Sequence, residues 1–337
     1  MINSLELAKL AGVSQSTVSR CLNDSPLVSE KTKERIKKLA AEHNFEFNSS
    51  ARGLKTSKTG IIGYVFSEDF SGFANHYIQS DLYYGIRSRL INRKLDLMPV
   101  FDYTLDGEMP NIEKCIRNRR VDGLIINRGQ IDPNIQELLE AYKIPYIFIY
   151  DTSESSPYNY VISPNHKQSG YLVGSAFCNK GYNDFVEVLG PCDRIDVKNK
   201  HDGFAKALSE KGFELTSSDM LYGNYKFEDA FRVTMESIER FKKANACFVQ
   251  NDTMAIGVIE ALKQNSIRVP EDIAIIGYDD IPMAKWCKPY LSTISISYER
   301  IISVATEWIV ELIQNLDFSE SRKITLNGEL IIRDTFK

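Results

Sequence analysis

The stretch 5-LELAKLAGVSQSTVSRCLN-23 decides how the first sixty residues fold. Asn3, followed three residues later by Glu6, is a capping box opening a short helix; its apolar side is read from Leu5, Leu7, Ala8 and Leu10 up to Ala11. Gly12 ends that helix. Ser14 has the chemistry of a second N-cap, and in the next helix Val18 and Leu22, four apart, face inward while Gln15, Ser16, Ser19 and Arg20 face out. A third helix runs from Ser29 through KTKERIKKLAAEH, with Ile36, Leu39 and Ala40 closing a small core. Helix, glycine turn, helix is the helix-turn-helix plan, and the outer face of the second helix carries hydrogen-bonding side chains but no acidic one. A DNA major groove requires that: Arg20 can donate twice to a guanine edge, Gln15 can bridge an adenine, and Ser14, Ser16, Thr17 and Ser19 can reach bases or phosphates. Spacing alone leaves a plain helical hairpin with a solvated face open.

Charge points the same way. The net charge of −4 over 337 residues hides ten Lys/Arg against six Asp/Glu in residues 1–60, so the basic end is the candidate for a polyanion partner. With 43% hydrophobic residues the chain has core for two or three domains. The start, MINSLELAKLAGVS, lacks the basic-then-apolar pattern of a secretory leader, and no stretch approaches the ~18 apolar residues of a spanning helix. A soluble, cytoplasmic protein with no membrane partner is expected. Six scattered cysteines and four histidines lack metal-ligand spacing, so no metal and no cofactor are expected.

The headpiece closely resembles the lactose/galactose repressor family of bacterial transcriptional regulators, through LELAKLAGVSQSTVSRCLN, VSEKTKERI and the Asn48, Ala51, Arg52, Leu54 pattern of N-x-x-A-R-x-L. The resemblance implies that Gln15, Ser16 and Arg20 read bases while Ser14, Thr17, Asn23, Ser29 and Thr32 contact the backbone of double-stranded operator DNA. It also implies a hinge helix in SSARGLK, whose Leu54 wedges between base pairs from the minor groove beside Ala51 and Arg52. So short a segment, weakened by Gly53, should fold only on DNA. Phe47 stands where the family usually has proline.

From Thr59 onward short apolar runs (IIGYVF, LDLMPVF, VDGLIIN, IPYIFIY, DFVEVLG, ACFVQ, DIAIIGY) alternate with amphipathic stretches, the pattern of buried parallel strands joined by helices. DTSESSPYNY, near 151–160, breaks it into two similar lobes facing a cleft. The expected fold is α/β: an all-α headpiece (1–46), a hinge and linker (47–59), and a two-lobed effector-binding and dimerisation domain (60–337) of parallel sheets flanked by helices. This domain resembles the type I periplasmic sugar-binding fold, in which the lobes exchange strands. That places lobe 1 at about 60–155 and 285–320 and lobe 2 at about 160–280 and 322–335, with the last strand, near LNGELIIRD, by the crossover.

Ligands of open α/β sheets bind at the carboxyl ends of strands, where Ser67, Asn127, Asp151, Asn251, Asp252, Asp279 and Asp280 follow apolar runs. Asp252 has the chemistry of a cap for TMAIGVIEAL. The resemblance implies effector contacts at Arg194, Lys200, Tyr225, Asn251 and Asp279, with Tyr77 and Phe73 as looser matches in lobe 1. Lysine at 200, where arginine is usual, gives a point charge in place of a planar fork.

The expected function is a sequence-specific regulator, a homodimeric repressor of carbohydrate-use genes controlled by a small sugar or sugar derivative. The sequence has no G-x-G-x-x-G, G-x-x-x-x-G-K-[ST] or G-x-S-x-G, so no catalytic residues are expected. A DNA-binding regulator with a vestigial cleft, and a sugar-binding or carbohydrate-acting protein, remain as alternatives.

Overall fold

The computed structural model describes residues 2–22, 25–43, 45, 58–66, 77–101, 109–129, 131–150, 157–315 and 321–337. Asn23, Phe47, Ala51, Arg52, Leu54, Ser67, Phe73 and Asp151 lie outside the described residues. The chain divides into two units, Met1–Gly60 and Ile61–Lys337.

The first unit contains α1 (Ser4–Ala11), α2 (Gln15–Leu22) and α3 (Glu30–Glu42). Asn3 and Glu6 form the reciprocal capping box, and Gly12 closes α1 at φ 62°, a left-handed conformation that costs glycine no Cβ clash. The Ser14 hydroxyl accepts the Thr17 N–H at 3.1 Å, and Ser29 caps α3. The buried face of α1 is Leu7, Ala8 and Ala11, whereas Leu5 and Leu10 are about half exposed. The helical period explains this correction: residues 7, 8 and 11 share one face, and 5 and 10 fall to either side. Val18 and Cys21 fill the core from α2, with Leu22 beside it, and Ile36 and Ala40 from α3. Each large side chain buried there contributes roughly 1.5–3 kcal/mol.

The second unit holds two six-stranded sheets. The first contains β1 (Ile61–Val65), β2 (Asp96–Val100), β3 (Gly123–Asn127), β4 (Tyr146–Ile149), β5 (Tyr160–Pro164) and β11 (Arg322–Leu326), in the order β11-β5-β4-β3-β1-β2. Around it lie α4 (Tyr77–Ile91), α5 (Asn111–Arg117), α6 (Pro133–Tyr142) and α12 (Tyr298–Asn315). The second contains β6 (Phe185–Leu189), β7 (Met220–Tyr222), β8 (Ala246–Val249), β9 (Ala274–Tyr278), β10 (Ser292–Ser295) and β12 (Glu329–Ile331), in the order β12-β10-β9-β8-β6-β7. Its helices are α7 (His166–Asn179), α8 (Ile195–Ser209), α9 (Phe227–Glu236), α10 (Ile238–Phe241) and α11 (Asp252–Gln264). All strand pairs are parallel except β10 with β12. The central strands β3, β6, β8 and β9 are buried on both faces, which is why they read as continuous apolar runs.

The lobe boundaries differ from those expected. β5 and β11 belong to the first sheet, joined in register from Arg322 opposite Tyr160 to Leu326 opposite Pro164, and β10 belongs to the second, parallel to β9. The chain therefore crosses between lobes after Pro164, after Ser295 and after Leu326. Polar content hid these strands: β10 reads STIS, yet Ser292 and Thr293 are fully buried because their hydroxyls serve the Arg333 N–H and the Asp252 carboxylate.

Two close approaches shape the second lobe. Helices α7 and α8 touch through glycines: a Cβ on Gly170 would lie 2.0 Å from the Lys200 carbonyl oxygen, and one on Gly203 would lie 1.9 Å from that of Lys167. Only glycine permits this crossing, and it fixes the first turns of α8. At the end of β6, a Cβ on Gly190 would meet the Tyr225 ring at 2.4 Å, so glycine there seats that ring.

Candidate functional site

The first candidate site is the outer face of α2. Gln15, Ser16 and Arg20 are exposed, as is Ser14, while Thr17 is partly covered. Gln15 Nε2 donates to Ser4 Oγ at 2.7 Å, and the Ser14 hydroxyl shares hydrogen bonds with Ser16 (2.7 Å) and Thr17 (2.8 Å). Ser29 and Thr32 share one at 2.8 Å at the start of α3. Hydroxyls and amides thus stand at two helix N-termini, where backbone N–H groups favour anions such as phosphate.

The second candidate site lies where strands of both lobes end. Arg194, the residue before α8, donates from Nε to Asp196 Oδ1 at 2.9 Å. Lys200, one turn further along and buried, reaches Asp196 Oδ2 at 3.3 Å, Tyr225 Oη at 3.1 Å and the Gln250 carbonyl at 3.4 Å. Tyr225 Oη donates to Asp196 Oδ2 at 2.5 Å. The Lys200 ammonium lies 4.5 Å from the centroid of the Tyr278 ring and 5.1 Å from that of Tyr225, close enough for cation–π attraction. Asn251 caps α11 through Oδ1, accepting the Met254 N–H at 2.9 Å.

Two hydrogen bonds tie residues at the lobe crossings to the second sheet. Tyr298, which opens α12 in lobe 1, donates its hydroxyl to Asp279 Oδ1 at 2.8 Å. His166, the first residue of α7 and two residues beyond β5, shares a 2.7 Å hydrogen bond from Nδ1 with Tyr278 Oη. On the lobe 1 side, Asn127 donates from Nδ2 to Tyr64 Oη at 2.9 Å, and the Phe66 and Phe101 rings stack at 5.1 Å.

Electrostatics separate these groups. Burial alone would raise the Asp196 carboxyl, but the charges of Lys200 and Arg194 and the Tyr225 hydroxyl outweigh it and hold it well below the usual carboxylate range. Asp279 goes the other way, pushed up to about 6 by burial against the opposing pull of Lys200 and the Tyr298 hydroxyl. Burial, aided by the charge of Lys200, lowers His166 to about 3 and so keeps its imidazole neutral. Backbone strain gathers here as well: Tyr150, Asn224, Tyr225, Asp279 and Asp280 all have positive φ at strand ends.

The structure brings together Arg194, Lys200, Tyr225, Asn251 and Asp279, five residues expected at this site. Tyr77 opens α4, stays exposed and makes no hydrogen bond to this network among the described residues. Asp252 is not the cap of its helix. Asn251 does that, while Asp252, fully buried, accepts the Ile281 N–H at 2.9 Å and the Thr293 hydroxyl at 2.6 Å. Asp279 and Asp280 part company: Asp280 pairs with Arg333 at 2.5 Å and Lys285 at 3.4 Å. Asp196, His166, Tyr278 and Tyr298 went unread in the sequence. Of these only Asp196 carried a signal, its spacing of four from Lys200 on a helix.

Both regions of the chain match known protein families. Residues 5–48 match the family profile "Bacterial regulatory proteins, lacI family", and residues 175–336 match "Periplasmic binding protein-like domain". The chain belongs to the lacI family of bacterial regulatory proteins. It is 28% identical over 333 residues to the HTH-type transcriptional repressor PurR of Vibrio parahaemolyticus, covering 98% of each chain, and 28% identical over 336 residues to PurR of Photobacterium profundum, again covering 98% of each. The lac repressor dimer bound to operator and the anti-inducer ONPF superposes with a TM-score of 0.85 at 25% identity, over 99% of this chain and 98% of that one. The fold also matches the CelR–cellobiose complex, with a TM-score of 0.72 at 21% identity over 99% of this chain and 100% of that one. This regulator is accordingly a DNA-binding transcriptional repressor; the relatives and structural neighbours named above are transcriptional repressors or regulators, not enzymes. Among the described residues, no helix is long and apolar enough to cross a membrane.

Proposed function

We propose that this repressor binds a near-palindromic operator as a homodimer, and that a small polar metabolite held between the lobes controls its operator affinity. The observation that carries the control reading is the hydrogen bond between the lobes, from Tyr298 at the start of α12 in lobe 1 to Asp279 after β9 in lobe 2, set among strained strand-end residues. A ligand seated there changes what holds the lobes together, and any differential affinity for two arrangements shifts their populations. Gln15, Ser16 and Arg20 read base edges; Ser14, Thr17, Asn23, Ser29 and Thr32 contact the DNA backbone; Ala51, Arg52 and the Leu54 wedge act in the minor groove. Arg194, Lys200, Tyr225, Asn251 and Asp279 line the effector site, with Ser67, Tyr77 and Asp151 as further candidates from lobe 1.

Sugars and sugar derivatives are the first ligand class, since carboxylate and amide groups engage neighbouring hydroxyls and aromatic faces pack on the C–H surface of a polyol. Two structures that share the fold hold carbohydrates, cellobiose in one and ribose in the other. The relatives from Vibrio parahaemolyticus and Photobacterium profundum are PurR repressors, so nucleobases belong in the same screen. A thermal-shift screen of sugars, sugar acids, sugar phosphates and nucleobases tests the reading, because a ligand at a hundred times its Kd adds about 2.7 kcal/mol. Operator affinity is then measured with and without the hit, in wild type, Asp279→Ala and Arg194→Ala. The coupling should be about 5- to 150-fold, reciprocal, and lost in both variants. A hit whose effect survives both substitutions removes the cleft assignment.

A second reading, a regulator without an effector, draws on one observation: Lys200 already has three partners inside the protein. A screen without a single hit favours it.

A further inference from the structure

We propose that the cleft selects an uncharged ligand, and that Asp196 sets this selection by acting as the internal counter-ion of Lys200 and Arg194. The inference rests on the cleft being the control site, and adds the ligand's charge class and the residue that decides it.

An ammonium group has three N–H donors. Those of Lys200 have three partners within the protein, Asp196 Oδ2, Tyr225 Oη and the Gln250 carbonyl. Asp196 in turn accepts from Arg194 Nε, Lys200 Nζ and Tyr225 Oη, so one carboxylate gathers both cations and the phenol. Lys200 is 3% exposed, and the Asp196 side chain is 14% exposed. In such surroundings a charge interaction is screened far less than in water. A phosphate or carboxylate ligand would have to share these cations with a carboxylate already bound to them, and like charges at that range repel strongly. It would also meet Asp279, whose Oδ1 is held by Tyr298.

The remaining groups suit a neutral, hydroxyl-bearing molecule. His166 is 4% exposed, is kept uncharged by burial, and has a buried Nε2 atom with no hydrogen-bond partner among the described residues. A buried unpaired nitrogen is costly, and a hydroxyl can serve it as donor or acceptor once the lobes part to admit a ligand. The Tyr225 ring, half-buried beside Lys200, is an aromatic face of the kind on which the C–H surface of a polyol packs. None of these groups needs an anion to complete it.

Calorimetric titration of the full-length protein with inorganic phosphate, at constant ionic strength, tests the proposal whatever the effector is. Wild type should show no saturable binding. Asp196→Asn keeps the shape and removes the counter-charge, so it should bind phosphate at least about tenfold more tightly than wild type, and Asp196→Asn/Lys200→Met should lose that gain. Operator affinity in the absence of ligand reports whether each variant is folded, and Asp196→Ser replaces Asp196→Asn should the latter fail. Saturable phosphate binding to wild type that Arg194→Ala abolishes overturns the proposal, as does a folded Asp196 variant with no gain; the ion cluster is then structural only. If neither variant folds, paired ligands decide: each neutral sugar against its phosphate and its uronic acid. An effector that is neutral supports the proposal and an anionic one overturns it. A panel without any hit sinks the control-site reading itself, a result distinct from either outcome of the phosphate titration.

Discussion

The α2 face and the interlobe site are both polar constellations, but they are assembled in opposite ways. On the α2 face the hydrogen bonds stay among the headpiece helices, with Ser14 bonded to Ser16 and Thr17, two and three residues away, and Gln15 to Ser4, eleven away. At the interlobe site Lys200 bonds to groups 25 and 50 residues away, and Tyr298 to one 19 away. The first is exposed and needs only its own helices. The second is buried, strained and dependent on the packing of two sheets. A substitution on the α2 face should therefore act alone, whereas one in the cleft should propagate.

The largest expected break in this pattern is Gly203→Ala. Its new methyl would lie 1.9 Å from the Lys167 carbonyl oxygen, a backbone atom that cannot rotate away, so α8 must shift from α7. Overpacking of this kind costs about 1–3 kcal/mol or more, and the shift carries Arg194, Asp196 and Lys200 with it. Urea denaturation should show the loss, and ligand response should fall further than stability alone explains. A variant as stable and responsive as wild type would mean that the helix crossing does not position the site.

Arg20→Ala comes next. It should leave stability unchanged, cost ~1–3 kcal/mol in operator affinity and relax preference at one base pair of each half-site. Equal losses on operator and random DNA, measured at one salt concentration, would remove its base-reading role.

The same contrast explains what the sequence disclosed. The headpiece was legible because capping boxes, a left-handed glycine and a 3.6 period are local signals: Asn3, Glu6, Gly12 and Ser29 take up the roles their types suggest. Only the apolar side of α1 was drawn too wide, at Leu5 and Leu10. The parallel strands were equally clear wherever both faces are apolar. β5, β10 and β11 were misplaced because lobe exchange is a matter of pairing partners, and a strand such as STIS buries hydroxyls whose hydrogen-bond partners lie 41 residues away. In the cleft, residues ending long apolar runs were found, but His166 and Tyr298 were not. They begin helices at the crossings, and nothing in their neighbours shows that they meet β9.

A smaller test compares additivity. Asn3→Ala and Ser29→Ala each remove a cap, at about 1 kcal/mol. The two caps share no partner, so the double variant should equal the sum within about 0.5 kcal/mol. Asp196→Asn with Lys200→Met should deviate from its sum by more than that, because either single change leaves a buried partner uncompensated. An additive cleft pair would remove the contrast.

The smallest signal is one in which two effects cancel. Asp279, raised by burial from 3.8 to about 6, binds its proton more tightly in the folded state, so it adds stability as pH falls from about 6 towards 3.8. His166, lowered by burial from 6.5 to about 3, binds its proton less tightly in the folded state. The stability tied to its neutral ring is complete above 6.5 and drains away as pH falls towards 3. Between about pH 6 and pH 4 each group contributes about 1.4 kcal/mol per pH unit, with opposite signs, and the net slope from the pair is near zero. Asp196, held low by Lys200 and Arg194, acts below this window. Asp279→Asn removes the gain and leaves the loss, so its unfolding free energy should fall by about 1.4 kcal/mol per unit relative to wild type across that range. Urea titrations of both proteins at intervals of half a pH unit measure the difference. Parallel profiles would show that the carboxyl at 279 titrates as an ordinary surface group, and that its burial in the cleft, unlike the exposure of α2, does not govern its chemistry.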